Sequence, residues 1–277
     1  MAAVGQGGVA RRSHMRFSCL AAGALLMILL AACRRQPAPV ITFVDHAAFL
    51  FSGAEGVVLL DPGQGMSAAM KQRLRNGHPP FAEIDLILVT HPHSNHFDLP
   101  LVDALLQRHP TAVFASTQAA VVALQGQNPE WVDSTRLRNA EPAPDGSLAL
   151  VLNGVALEAI DLPHNRPVVN LGYIINLSGR RLLHPGDVAH PDHLANHNLR
   201  DAGLDVALIP YPALLPDHLA PGLLAALQQA LDRDETALVP MHFTPDGGRD
   251  ELLSQMLIEE WGSGHVFRAP LEQWQVP

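Results

Sequence analysis

Three histidines stand close together in the middle of the chain, at His91, His93 and His96. They directly follow residues 84–90, a near-continuous apolar run typical of a strand that is buried on both faces. The carboxyl end of such a strand is where α/β proteins place ligand groups, and Pro92 stiffens the turn. Imidazole nitrogens bind zinc and related divalent metals. The pattern therefore predicts a metal-binding turn, with a chance cluster among 15 histidines as the alternative.

Three further metal donors each stand just after a predicted strand: His164 after 155–160, Asp187 after 181–183 and His242 after 237–239. Every candidate donor stands just after a predicted strand, which would put all six on one rim. That expectation reduces the chance that the first three histidines cluster by accident.

The rest of the chain alternates short apolar runs with amphipathic stretches. Apolar runs predict strands at 41–44, 47–51, 57–60, 84–90, 112–115, 148–152, 155–160, 172–177, 181–183, 206–209 and 237–239. Helical spacing predicts helices at 67–75, 99–108, 117–124, 218–231 and 248–260. The dipeptides Asn153-Gly154 and Ser178-Gly179 predict two hairpins. Strands followed by strand–helix units, twice over, predict an α/β fold of two mixed sheets with helices outside.

The first 33 residues have the pattern of an export signal. Basic residues at 11–16 precede an apolar run over 17–32, which is shorter than the roughly 20 residues that span a bilayer. The run ends in Leu30-Ala31-Ala32-Cys33, which resembles a bacterial lipobox and implies that Cys33 carries a lipid. We therefore predict a lipoprotein signal peptide at 1–33, a tether at 34–40 and one domain at 41–277. An uncleaved signal anchor is the alternative.

An exported lipoprotein of this kind faces the periplasm, attached to a membrane through its N-terminal lipid. Arg34, next to Cys33, is not an inner-membrane retention signal, so we expect the outer membrane.

Composition limits the partners and the ligands. The chain is 48% hydrophobic and carries a formal net charge of −9, whereas binding to nucleic acid needs a basic surface. We therefore expect no nucleic-acid partner. The only cysteines, Cys19 and Cys33, lie in the first 33 residues, so the predicted domain has no thiolate ligand. Histidines and carboxylates must hold any metal.

A resemblance to a known family rests on the same residues. The pattern His91-x-His93-x-Asn95-His96, then His164, Gly186-Asp187 and His242, resembles the metallo-β-lactamase-fold hydrolases. The segments Asn170-Leu171-Gly172-Tyr173 and Pro240-Met241-His242 are similar to the branch that contains sugar-phosphate lactonases and related phosphodiesterases. The resemblance covers nearly the whole domain from residue 41, and it implies a four-layer αββα sandwich with up to two metal ions between the sheet edges.

The resemblance also implies roles for the donors. The first ion would bind His91, His93 and His164. The second would bind His96 and His242, with Asp187 bridging the two ions. Asp61, in Leu60-Asp61-Pro62-Gly63, matches an acidic position beside the family's site and would orient a ligand histidine. A plain turn residue before Pro-Gly is the alternative for Asp61.

Asn95 departs from the family pattern, which has an aspartate at this position. A neutral amide oxygen is a weaker partner for a dication than a carboxylate, so the second ion should bind weakly, unless the enzyme uses one ion or has lost activity. Asp98 is an alternative ligand three residues later. Val188 replaces the family's threonine and removes a hydroxyl. We expect zinc, as one tight ion and a weaker second, with manganese or iron as alternatives.

Other residues have two interpretations each. His46 lines the pocket or packs in a strand, and Tyr211 is a candidate pocket residue. Four more histidines lie near Asp187 in the sequence: His184, His190, His193 and His197. The last three have the spacing of one helix face, which is either solvated, lines the substrate entrance or binds adventitious metal. His109 and His265 are interpreted as surface residues.

The function predicted from these residues is hydrolysis of a lactone, phosphodiester or related ester of a small molecule by a metal-activated water, with Asp187, Asn95 and Asp61 as catalytic candidates. One alternative is a metal- or ligand-binding lipoprotein of the same fold whose catalysis is impaired by Asn95. Another is a β-lactamase-type hydrolase. The sequence indicates no oligomeric state.

Overall fold

The first sheet starts as an antiparallel meander and continues in parallel. Its strands are β1 (Val40–Asp45), β2 (Ala48–Gly53), β3 (Gly56–Leu60), β4 (Leu86–Leu88), β5 (Val113–Ser116), β6 (Leu137–Asn139) and β13 (Gln273–Gln275). Their order in the sheet is β13-β1-β2-β3-β4-β5-β6. Pairing is antiparallel from β13 to β3 and parallel from β3 to β6. The structure is a computed structural model that describes residues 36–164, 167–189, 192–210, 222–245 and 248–277.

The second sheet repeats this plan. Its strands are β7 (Ser147–Leu152), β8 (Val155–Asp161), β9 (Leu171–Leu177), β10 (Arg180–His184), β11 (Val206–Pro210) and β12 (Ala237–Met241). The order is β12-β11-β10-β9-β8-β7, antiparallel from β7 to β10 and parallel from β10 to β12. The two hairpins predicted at Asn153-Gly154 and Ser178-Gly179 are confirmed, and Asn153 and Ser178 adopt the positive φ that such turns require.

Helices cover the outer faces of both sheets. They are α1 (Ala68–Asn76), α2 (Leu99–Arg108), α3 (Gln118–Gln127), α4 (Asp192–Ala195), α5 (Gly222–Ala230) and α6 (Arg249–Trp261). Ser67 and Thr117, predicted as first helical residues, are the N-caps of α1 and α3, and their hydroxyls accept from backbone amides. The part of the predicted helix before residue 222 lies outside the described residues.

Among the described residues, three apolar cores fill the spaces between these layers. The central core joins residues of both sheets, such as Phe51 and Tyr173. A second core packs α1 to α3 on the first sheet, and a third packs α4 to α6 on the second. The predicted α/β fold, a four-layer αββα sandwich, is confirmed.

Two short strands of the structure were not predicted from the sequence. Strands β6 and β13 have three residues each and contain arginine, asparagine and glutamine rather than an apolar run. They pair because β5 and β1 offer free edges. The predicted strand over 84–90 is regular only at Leu86–Leu88, although Val89 still donates to Ala115 O at 3.1 Å.

The interpretation of His109 as a surface residue is wrong. Only 7% of it is exposed, because its turn after α2 is closed against the first sheet. The carbonyl of His109 accepts from the backbone of Ala112 and from the guanidinium of Arg136. His265 is half-buried, with its ring stacked on Trp274 and Nε2 2.9 Å from Glu272 Oε1.

The prediction of one helix face for His190, His193 and His197 is also wrong for the two that the structure describes. Helix α4 ends at Ala195, and His197 lies in the turn that follows, with its amide donating to Leu194 O. His190 lies outside the described residues.

The predicted signal peptide at 1–33, with lipidation at Cys33, and the first two residues of the predicted tether lie outside the described residues. Within the described ranges, none of the helices combines the length and hydropathy needed to cross a bilayer.

Candidate metal centre

The turn after β4 delivers three of the predicted donors. Strand β4 lies between two parallel neighbours, so its carboxyl end opens at the edge of the sheet. The backbone amides of His96 and Phe97 both donate to His93 O, which closes the turn and directs the imidazoles of His91 and His96 into the interior. Both residues are wholly buried.

Asp98 ends this turn and has a structural role. Its carboxylate caps α2 by accepting from the Leu101 amide, and it forms an ion pair with Lys71 Nζ at 2.8 Å. The alternative that Asp98 replaces the missing carboxylate of Asn95 is therefore not supported.

The second sheet supplies the other donors. His164 follows β8, Asp187 follows β10 and His242 follows β12. The rings of His91, His93 and His164 lie 4.7 to 5.0 Å apart between centroids. One nitrogen from each ring lies within 4.8 Å of the other two, so these three side chains could hold one ion.

Asp187 lies between this histidine group and the remaining donors. Its Oδ1 is 3.2 Å from His96 Nε2, and its Oδ2 is 3.5 Å from His242 Nε2, 3.7 Å from His164 Nε2 and 3.9 Å from His91 Nε2. The side chains of His91, His96 and Asp187 form a second group with ligand atoms within 4.8 Å of one another. The two candidate groups thus share His91, and Asp187 is near every donor just named.

Buried polar atoms at the centre fit a cation. His91 Nε2 is buried and makes no hydrogen bond, whereas His96 Nε2 and Asp187 Oδ1 are buried with only each other as a partner, at 3.2 Å. A buried donor or acceptor without a partner costs about 1–3 kcal/mol, and such groups are rare in native proteins. Imidazole and carboxylate are the donors that zinc accepts, so the residues present fit a metal.

Asp61 holds the outer sides of two imidazoles. It is wholly buried, and its carboxylate accepts from the Thr90 amide at 2.7 Å, from Thr90 Oγ1 at 2.8 Å and from His96 Nδ1 at 2.7 Å. The Thr90 hydroxyl donates its one proton to Asp61, so its oxygen accepts a hydrogen bond from His91 Nδ1 at 3.0 Å. In the neutral form of each ring, Nε2 is thereby the nitrogen that keeps the lone pair, and it faces the centre, as metal ligation requires.

The electrostatics of the buried groups follow from these contacts. Burial opposes the charged form of His96, but the carboxylates of Asp61 and Asp187 raise its pKa to about 9. Burial, assisted by His96, lowers the pKa of His91 to about 3. Burial alone would raise the pKa of Asp187, yet His96, His242 and His91 hold it well below its usual range. The site therefore favours a charged Asp187 and a neutral His91.

The loop that carries Asp187 is fixed by Asn170. The amide group of Asn170 donates to Leu162 O and Pro185 O, and its Oδ1 accepts from the Asp187 amide at 3.0 Å. Gly186, at φ +60°, makes this approach feasible, because a Cβ there would lie 2.1 Å from Asn170 Oδ1. The sequence singled out Asn170 by resemblance, whereas nothing in it indicated the role of Thr90.

Asn95 and His46 both contact His242. The side-chain nitrogen of Asn95 lies 2.9 Å from His242 Nε2. The ring of His46 is 4.2 Å from that of His242, and the His46 carbonyl accepts from the His242 amide. His46 lies in the turn after β1 at φ 52°, so it lines the site rather than packing in a strand. Tyr211 lies outside the described residues.

Comparisons with known proteins agree with this geometry. Residues 57–243 match the family model described as the β-lactamase superfamily domain. A metal-dependent hydrolase from Thermococcus kodakarensis is 29% identical over 213 residues, which is 73% of this chain and 84% of that protein.

Two solved structures share the fold. A metallo hydrolase from Ignicoccus hospitalis has a TM-score of 0.61 at 21% identity, covering 85% of this chain and 97% of its own. A diiron β-hydroxylase from Streptomyces venezuelae has a TM-score of 0.59 at 14% identity, covering 86% of this chain and 54% of its own. The family model covers more than half of the sequence and all six donors described above. The chain therefore belongs to the β-lactamase superfamily, as a metal-dependent hydrolase of the metallo-β-lactamase fold.

Proposed function

We propose that this chain hydrolyses a lactone, a phosphodiester or a related ester of a small molecule. One observation carries the proposal. His91 Nε2, His96 Nε2 and Asp187 Oδ1 are buried side by side, with the 3.2 Å ion pair between His96 and Asp187 as their one polar contact, in an arrangement that a divalent cation would satisfy. Such an arrangement is costly for a protein that has no use for a metal.

The residues divide between two metal positions. His91, His93 and His164 would hold the first ion, and His96 and His242 the second, with Asp187 between the two. When bound, divalent ions lower the pKa of water and polarise the oxygen of a substrate. Zinc suits this set of imidazoles and one carboxylate, and manganese or iron also accept it.

The chain's own residues prepare the site before any substrate arrives. Thr90 and Asp61 fix the imidazole tautomers of His91 and His96 through the hydrogen bonds at their Nδ1 atoms. The charge of Asp187 offsets part of the charge of the ions. Preorganised polar groups of this kind are a major source of rate enhancement in enzymes.

The proposal is tested by measuring metal content per chain together with turnover on a phosphodiester, a lactone and a cephalosporin. Turnover of the phosphodiester or the lactone, lost with a chelator and restored by zinc, is the expected result. Turnover of the cephalosporin alone would favour a β-lactamase. Bound metal without turnover on any substrate would favour a binding protein with impaired catalysis, and a wild-type chain that binds no metal would refute the proposal.

We also propose that the protein is an exported bacterial lipoprotein, held through a lipid on Cys33 and facing the periplasm, in the outer membrane. The sequence Leu30-Ala31-Ala32-Cys33 supports this proposal. Mass spectrometry of the mature protein should find an acylated N-terminal Cys33. Cys33→Ala should remain unprocessed, whereas Cys19→Ala, the matched control in the apolar run, should be processed normally. A mature protein that starts elsewhere, or carries no acyl chain, would contradict the proposal.

A further inference from the structure

His184 is a wholly buried histidine beside the metal centre that is absent from both candidate ligand groups. It is the last residue of β10, three positions before Asp187. Its Nδ1 accepts from the Gly186 amide at 3.3 Å, which places the ring proton on Nε2. That Nε2 lies 3.4 Å from Ala47 O and 3.8 Å from Asp61 Oδ2.

These contacts join two parts of the centre that are far apart in the sequence. On one side, His184 holds the amide of Gly186 and so fixes the turn that presents Asp187. On the other side, its Nε2–H points toward the Ala47 carbonyl and Asp61, the carboxylate that orients His96. A single imidazole therefore contacts the supports of both a carboxylate donor and a histidine donor.

A purely space-filling role does not explain a histidine at this position. The two preceding residues of β10, Leu182 and Leu183, are buried and apolar. The ring of His184 packs edge-on against Phe49, with centroids 6.2 Å apart, a contact that a phenyl ring would make equally well. Burying an imidazole is favourable only where its nitrogens have partners, and here both of them face polar groups.

We propose that His184 is a positioning residue of the metal centre. It sets the place of Asp187 through Gly186, and the place of His96 through Asp61. The inference rests on the proposed metal centre and adds to it a residue that binds neither ion. Partners of this kind are worth about 10–100-fold in metal affinity.

Three variants separate this role from packing. His184→Phe keeps an aromatic ring against Phe49 and removes both nitrogens. His184→Asn keeps an acceptor at the position of Nδ1 and so retains the contact with Gly186. His184→Gln keeps a polar group only at the far end, toward Ala47 and Asp61. His78→Ala, on an exposed residue at the end of α1, is the control.

The measurement is the affinity for zinc ion, by competition with a chromophoric chelator, alongside the melting temperature of each metal-stripped variant. We expect His184→Phe to bind zinc about 10–100-fold more weakly than the wild type. We expect His184→Asn to recover part of that loss at a similar melting temperature, and His78→Ala to match the wild type.

Wild-type affinity in His184→Phe, or no recovery in His184→Asn, would overturn the inference. If His184→Phe does not fold, His184→Asn and His184→Gln decide the matter, since wild-type affinity in both would equally overturn it. A wild-type chain that binds no zinc would instead refute the proposed function itself.

Discussion

The side-chain nitrogen of Asn95 donates to Nε2 of His242 across 2.9 Å. The lone pair that accepts this hydrogen bond is the one that a metal ion would use. An ion at the proposed second position would therefore have to displace this hydrogen bond, without the charge of an aspartate at residue 95. The contact is a structural reason to expect unequal affinities at the two proposed positions.

Replacing Asn95 with aspartate should tighten the second ion. The carboxylate adds a negative charge next to His242 and removes the competing N–H donor. We expect the wild type to retain one ion through dialysis and to take up a second only when zinc is added, whereas Asn95→Asp should retain both. The change should be at least the 10–100-fold that outer contacts are worth. Zinc titration with a count of ions per chain is the measurement.

Asn196→Asp is the matched control, because it makes the same charge change on an exposed residue. It should leave both affinities unaltered. Two equally tight ions in the wild type, unchanged in Asn95→Asp, would show that this account of residue 95 is mistaken.

Removing His91 should abolish metal retention. His91 belongs to both candidate ligand groups, so His91→Ala takes a donor from each. We expect less than one zinc per chain after dialysis, by elemental analysis, and no chelator-sensitive turnover. His78→Ala should retain wild-type metal content, because His78 is exposed. Full retention in His91→Ala would contradict the ligand assignment.

Metal binding should release a proton, and this proton should come from His96. With no metal bound, the carboxylates of Asp61 and Asp187 hold the pKa of His96 near 9, so the ring is protonated below that pH. An ion requires the neutral ring, hence affinity at this position should rise with pH up to about 9 and fall on acidification. His91, with a pKa of about 3, is already neutral and should add no such dependence.

Proton release is measured by calorimetric zinc titration at pH 7.5 in buffers of different ionisation enthalpy. We expect about one proton for each ion that binds His96, and markedly less in His96→Gln. Equal release in the two proteins would mean that another group supplies the proton.

Replacing Asp61 with asparagine should weaken both the fold and the metal centre. The amide cannot accept all three hydrogen bonds that reach the wholly buried carboxylate from Thr90 and His96. We expect Asp61→Asn to lower the free energy of unfolding by about 1–3 kcal/mol. Zinc affinity should fall about 10–100-fold. Denaturant unfolding of the metal-stripped protein and chelator competition measure the two effects.

Asp234→Asn provides the comparison for this prediction, since Asp234 is exposed. It should alter neither quantity. Wild-type zinc affinity in Asp61→Asn would show that Asp61 does not support the metal ligands.

The order of elements and the gathering of the donors could be predicted because local patterns determine them. The strands before His91, His164, Asp187 and His242 can be recognised from their apolar residues alone, and the structure has strands at these places. Strands of one sheet that run in the same direction end at the same edge, which places His164, Asp187 and His242 together, and the packing of the two sheets brings His91 to them. The hairpin turns follow in the same way from asparagine, serine and glycine at positions of positive φ.

The rest depends on partners that are distant in the sequence. Thr90 supports His91 only because Asp61 takes its hydroxyl proton, and no spacing along the chain reveals that contact. His184 likewise depends on Ala47, which comes from the other sheet. His109 follows a helix as a surface histidine would, but Arg136 closes its turn from a different segment. Such roles belong to tertiary contacts and not to local sequence.

The donors come from both sheets, and this has a consequence for the order of assembly. His91 and His96 follow a strand of the first sheet, whereas Asp187 and His242 follow strands of the second. The contact between Asn95 and His242 spans 147 positions, so it closes only once most of the chain is available. During synthesis β1 to β6 of the first sheet emerge with an incomplete set of ligands, and a chain in that state should hold metal poorly. Stable metal uptake is therefore a late event that distinguishes finished molecules from unfinished ones.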